Sequence, residues 1–180
     1  MAINTSQNMF GADIQTMLDA EHRFVKGMEE MLQKATAPQV QQILNVHIQQ
    51  TQHQIQNLQQ VCSLLGIQAQ RGHCHAAEGL VDDAKHMMDE TSNNPALLNL
   101  AIGAAGDKIE HFEIGAYTPL IATAQSMQQP QIVQLLQQNL QQEQETAQKI
   151  EQSTPTLLQQ LGSQQFTQGS QGTQSGLNPL

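Results

Sequence analysis

Apolar residues recur three and four positions apart along most of this chain, and that spacing points to a packing of long helices. Ile14, Met17, Leu18, Phe24, Val25, Met28 and Leu32 share one face of a helix expected over roughly 11–35. Pro38 suits the first turn of a second helix, roughly 38–65, striped by Ile43, Leu44, Ile48, Ile55, Leu58, Val61 and Leu65, with Gly66 as its stop. Asn93-Asn94-Pro95 starts a third, reaching about Met127, and Pro130 opens a fourth that should end near Ser153-Thr154-Pro155. The connection 66–94 carries a short helix, 76–90. Strand signals are nearly absent: aromatics are 3% of the chain and no sustained alternation appears. The absence of a fixed period of roughly 30 to 45 residues argues against a helical repeat protein.

A chain of 180 residues, 38% hydrophobic, makes one domain with a real core. Seven Lys plus Arg against sixteen Asp plus Glu, a net charge of -9, argue against nucleic acid and anionic membrane as partners. No apolar run approaches the roughly 18 residues of a membrane span, and Met1–Phe10 lacks the parts of a secretion signal. With only Cys62 and Cys74, a disulfide scaffold is out, and the expected location is cytoplasmic. The 34 glutamines lower surface charge without breaking helices. The expected organisation is a lead over 1–10, a helical bundle over 11–161 and a flexible Gln/Gly/Ser-rich tail over 162–180. The apolar tip of that tail, Gly176-Leu-Asn-Pro-Leu180, is a weak candidate for docking to a larger shell or partner.

Loop lengths set the topology. Helices one and two are tightly joined, as are three and four, so each pair should be antiparallel. The long link between the pairs is the crossover of ferritin-like bundles rather than the short loop of an up-down bundle. The fold class is therefore all-α, a ferritin-like four-helix bundle whose crossover carries an extra short helix.

Carboxylates occupy the wrong faces of these helices. Projected at roughly 100° per residue, Glu21 falls near the centre of the first stripe. Glu113 lies between Ile109 and Ala116, Glu110 flanks the same face, and Glu143 sits midway between Leu136 and Ile150. Buried acids are costly unless neutralised. Arg23, Lys26, Lys108 and Lys149 all project off the stripe centres, so no cation of the chain is well placed to do so. Three explanations stand: a metal held by hard oxygen ligands, such as iron or manganese; acids protonated and sharing hydrogen bonds; or faces misassigned by the projection. On helix two His47, Thr51 and Gln54 face inward, while His53 projects almost opposite. His47 either ligates or supplies positive charge, although a lone inward histidine is more often a satisfied core residue. His73-Cys74-His75 lacks a fourth ligand for a soft-metal site and reads as structural. Cys62 is a core thiol, His111 a surface residue, and Tyr117 lies one turn from Glu113, in reach of a core carboxylate.

Several segments carry a resemblance: Ala20-Glu21-His22, His47 to Ile55, Cys74 to Leu80, Lys108-Ile-Glu-His-Phe-Glu-Ile-Gly-Ala-Tyr117, and Leu140 to Ile150 around Glu143. Together, in order over roughly 11–152, they resemble the YciE/YciF-like, stress-associated branch of the ferritin-like superfamily. The resemblance implies a four-helix bundle and metal binding through inward acids, which fall on Glu21, Glu110, Glu113 and Glu143. It also exposes departures. Where a ferritin-like second helix offers a glutamate, this chain has Gln50, and an Asp expected four residues after Glu143 is Ala147. Glutamine ligates only through a neutral carbonyl, so such a site carries less charge.

The resulting expectation is a stress-associated protein whose bundle core holds iron or manganese, as one ion or two, with Glu21, Glu110, Glu113, Glu143, His47, Gln50 and Gln54 as ligand candidates. It would not be a conventional enzyme, and any chemistry would be redox at the metal. The rival is a metal-free helical module that keeps a remnant of the site and works through assembly or partner contacts. Ferritin-like bundles commonly pair, so a homodimer is expected.

Overall fold

The computed structural model of the chain describes residues 3–169, with side chains as far as Gly162. Five helices and no strand are present among them: α1 (Ser6–Lys34), α2 (Pro38–Leu64), α3 (His75–Glu90), α4 (Pro95–Ser126) and α5 (Pro130–Gly169). The punctuation expected from sequence acts as chemistry. Asn94 caps α4 by accepting the N–H groups of Ala96 and Leu97, and Pro95 occupies the first turn, where its missing N–H costs nothing. Gly66 takes φ +68 just past α2, and the Ile67 N–H closes back on the Cys62 carbonyl at 3.0 Å.

Two ends differ from expectation. The lead over 1–10 is helical from Ser6, because Thr5 Oγ1 accepts the Asn8 N–H at 3.1 Å and Phe10 is buried in the core. α5 does not stop near Pro155 but runs through it to Gly169. The ring removes one helical hydrogen bond, yet Leu157 beyond it is buried, with Cδ1 alongside Gly103 of α4, and that packing continues the helix. Residues 162–169 of the expected tail thus extend α5; 170–180, with the apolar tip, lie outside the described residues.

Contacts fix the directions. Thr36, Phe24 and Glu21 of the first hairpin meet Asn99, Phe112 and Tyr117 of α4, so α1 and α4 run antiparallel. His47, Gln54 and Asn57 of α2 meet Thr146, Gln142 and Asn139 of α5, antiparallel again. α2 and α4 therefore point the same way, and the chain must return along the bundle between them. α3 makes that return. It lies against α1 and α4, parallel to α1, with ion pairs Arg23–Glu78, Glu30–Lys85 and Lys34–Asp89 all 55 residues apart. Gly27 permits the close approach, since a Cβ there would stand 3.2 Å from Val81 Cγ2. This is the all-α ferritin-like bundle with an α-helical crossover. No helix is long and apolar enough to cross a membrane among the described residues.

Candidate metal centre

Each of the four long helices sends a polar group to one point in the core: Glu21 from α1, His47 from α2, Glu110 and Glu113 from α4, and Glu143 from α5. None is more than 2% exposed. Helical spacing explains most of the set, because Glu21, His47, Glu113 and Glu143 each lie three or four positions from a buried apolar residue of their own helix, while Glu110 adjoins the buried Ile109. One ligand atom from each of His47, Glu110, Glu113 and Glu143 lies within 4.8 Å of the others. His47 Nε2 is 3.0 Å from Glu110 Oε1 and 3.4 Å from Glu143 Oε2. Glu21 joins through Tyr117, whose hydroxyl donates to its Oε1.

Burial dominates the electrostatics. It pushes Glu21 up to about 8, helped by the charge of Glu143. Glu110 also rises to about 8, chiefly through burial. Burial and mutual repulsion raise Glu113 and Glu143 well above the carboxylate range, and lift the Tyr117 hydroxyl above its ordinary value. No Lys or Arg among the described residues pairs with these acids. Apart from the approach of His47 Nε2 to Glu110 and Glu143, Glu21 Oε2, Glu110 Oε2, both oxygens of Glu113 and of Glu143, and Gln54 Oε1 are buried without a hydrogen-bond partner in the protein. Such a set is rare in a folded core unless protons or a cation complete it.

A second layer positions the first. Asn139 donates to the Tyr117 oxygen at 3.0 Å and accepts from Asn57 at 2.7 Å. Thr146 Oγ1 stands 3.3 Å from His47 Nδ1 and donates to Gln50 Oε1 at 3.5 Å. Asn139 and Thr146, missing from the sequence reading, are four positions before and three after Glu143. The projection that found the glutamate reaches them too, but a neutral side chain on an apolar stripe carries a weaker warning than a charge.

Of the residues singled out from sequence, Glu21, Glu110, Glu113, Glu143 and His47 converge. Gln54 is buried beside them, its Nε2 donating to Gln142 and its Oε1 unpartnered. Gln50 stands apart: half-buried, it lines a cleft of about 290 Å³ with Val46, Thr146 and Lys149 and touches the cluster only through Thr146. His53 and His111 are exposed and Cys62 is buried. Asp19, unremarked in the sequence, is buried on α1, where it accepts from Arg23, Arg71 and the Cys74 N–H.

The unpartnered atoms test what the site fits. Four carboxylates and one imidazole, lacking internal cations, match the hard-to-borderline donor set of iron or manganese. The acids could hold one ion or two, with His47 as the nitrogen ligand and Gln54 as a neutral carbonyl.

The family model described as a domain of unknown function, DUF892, matches residues 5–161. The chain belongs to this family. The Escherichia coli (strain K12) protein YciF is 26% identical over 151 residues, 83% of this chain and 90% of YciF. Among solved structures, YcfI from Rhodopseudomonas palustris is 31% identical with TM-score 0.80, covering 83% of this chain and 94% of its own. The crystal structure of the E. coli stress protein YciF gives TM-score 0.82 at 23% identity, over 87% of this chain and 99% of that one, and supports the fold. The YciF-like assignment made from sequence holds. The whole cluster lies within the matched residues.

Proposed function

We propose that this DUF892 chain is a YciF-like stress-associated protein that holds iron or manganese in its bundle core through Glu21, Glu110, Glu113, Glu143 and His47, with Gln54 as a neutral ligand. The observation that carries this reading is the row of unpartnered oxygens on Glu113 and Glu143, buried with no Lys or Arg beside them. Bound there, a redox-active ion would supply one-electron chemistry shielded from bulk water. The chain's own residues do the rest. The acids supply negative charge, Thr146 orients His47 at Nδ1, and Tyr117, held by Asn139, fixes one oxygen of Glu21. Gln50 serves as Thr146's acceptor rather than as a ligand. Since an unfolded chain has no preformed site, the cation should stabilise the fold by mass action. Melting temperature should rise with manganese or ferrous iron and stay unchanged in Glu143→Ala, and protein purified without chelator should carry the metal. A wild-type melting curve indifferent to both ions would sink the reading.

One feature favours the metal-free alternative, a helical assembly module with a remnant site. Glu21 and Glu110 keep their protons up to about 8, and Glu113 and Glu143 are raised well above the carboxylate range, so protonation of all four, within the pairs Glu21–Glu113 and Glu110–Glu143, can neutralise the core unaided. Metal content after chelator-free purification separates the two.

A further inference from the structure

The acids and imidazole of the core are closed off from solvent, so an ion that reaches them must cross the bundle wall. That wall differs from side to side. Between α1 and α4, Phe24 and Phe112 pack edge to face with ring centres 5.8 Å apart. Between α4 and α5, Ile150 and Leu157 lie against Gly106 and Gly103. The α2–α5 seam is instead crossed by neutral polar pairs turn after turn: Thr146 donates to Gln50, Gln54 to Gln142, and Asn57 to Asn139. Amide and hydroxyl oxygens can replace part of a cation's water shell in passing, which an aliphatic wall cannot do. The same seam carries the cleft of about 290 Å³ lined by Val46, Gln50, Thr146 and Lys149. Thr146 lines that cleft and also stands 3.3 Å from His47 Nδ1, while His47 Nε2 faces Glu110 and Glu143. From cleft to cluster, the connection therefore runs through one hydroxyl side chain and one imidazole. The Thr146–Gln50 contact is 3.5 Å, at the outer limit of a hydrogen bond, so parting it costs little. Larger clefts of about 620 and 370 Å³, beside the crossover and between α1 and α4, are lined by no hydrogen-bond partner of the cluster.

We propose that the α2–α5 cleft is the port through which a divalent cation enters and leaves the core, with Gln50 and Thr146 as its throat and Lys149 as a positive charge at its mouth that slows entry. The inference rests on the metal site proposed above. It also gives Gln50 a role as a neutral residue. A passage must attract an ion enough to admit it but not enough to hold it, and a glutamate in the throat would hold it. Lys149 is exposed beside that throat and opposes the attraction that a net charge of -9 exerts on cations.

A port alters a barrier and not the states on either side of it, so it is tested by rates at unchanged affinity. Metal-stripped full chain is mixed with manganese(II), and the fall of the free ion's EPR signal gives the rate of entry; a chelator chase of the loaded protein gives the rate of exit. Val46→Phe and Gln50→Phe put a ring over the throat and should slow entry and exit alike by about tenfold or more. Val46 is exposed and touches no member of the cluster through a hydrogen bond, so Val46→Phe should keep the wild-type Kd. Lys149→Gln should speed entry, and the gain should shrink as salt is added. Thr123→Phe, in the cleft between α1 and α4, should leave both rates as in the wild type. Rates that neither Val46→Phe nor Gln50→Phe changes, or that Thr123→Phe slows as much, overturn the port. Failure of the metal reading looks different: the wild-type chain would then leave the free manganese signal unchanged at equilibrium, and the port would fall with it.

Discussion

Burial sets the protonation of Glu21 and Glu110, and with it the pH dependence of the fold. Unfolded, both ionise near the ordinary glutamate value of 4.5; folded, they keep their protons to about 8. Between those values the native metal-free chain binds more protons than the unfolded one, so its stability falls as pH rises. A bound cation removes this slope, because it holds the acids ionised as they are in the unfolded chain above about pH 5. Melting temperatures from about pH 5 to pH 8 should slope downward for chelated protein and lie nearly flat for manganese-loaded protein; parallel slopes would place the ion elsewhere. Thr146→Val keeps the side chain's shape but removes the partner of His47 Nδ1. Manganese affinity should drop by about 10- to 100-fold and metal-free stability by about 1 kcal/mol. At this scale the acids were legible because a charge centred on an apolar stripe is improbable without a reason. The place of Gln50 was harder to read. The projection already turns Gln54 inward with His47 and Thr51, whereas Gln50 comes in only through the family resemblance, and the packing of α5 leaves it at the cleft.

The elements were mostly legible from Pro38, Gly66, Asn94-Pro95 and Pro130, since these residues act within a few positions along the chain. The run of α5 past Pro155 was not, because the burial of Leu157 against α4 depends on Gly103, 54 positions earlier in the chain. The same holds for Asp19. Its carboxylate ties the crossover to α1, accepting from Arg23 at 2.6 Å, Arg71 at 2.9 Å and the Cys74 N–H at 2.9 Å. Burial alone would raise its pKa; those three donors outweigh burial and hold it at about 2. Asp19→Ala should cost about 2 kcal/mol, less than a fully buried pair because Arg71 is half exposed. Hydrogen exchange should show faster amide turnover over 66–74, with the α4–α5 hairpin unchanged. Uniform acceleration across all helices would mean that Asp19 supports the whole bundle rather than its crossover.

For the whole molecule, the core sets stability against site chemistry. Phe10, Phe24, Leu58, Ile109 and Leu136 are buried in the same core as acids that contribute nothing apolar and have no Lys or Arg from the described residues. A bundle selected for stability alone would fill those positions with apolar side chains, as much of each stripe does. Replacing buried charged groups by apolar ones of similar volume is often neutral or stabilising by about 1 to 4 kcal/mol. The double substitution Glu113→Leu, Glu143→Leu should therefore raise the denaturant midpoint of metal-free protein, keep its helix content, and abolish any melting shift with manganese. A stability gain with loss of the metal response would mean that the acids are kept for their ligand chemistry at the expense of the fold. If the variant is instead less stable than the metal-free wild type, the carboxyl groups hold the core together through shared protons, as the metal-free alternative requires.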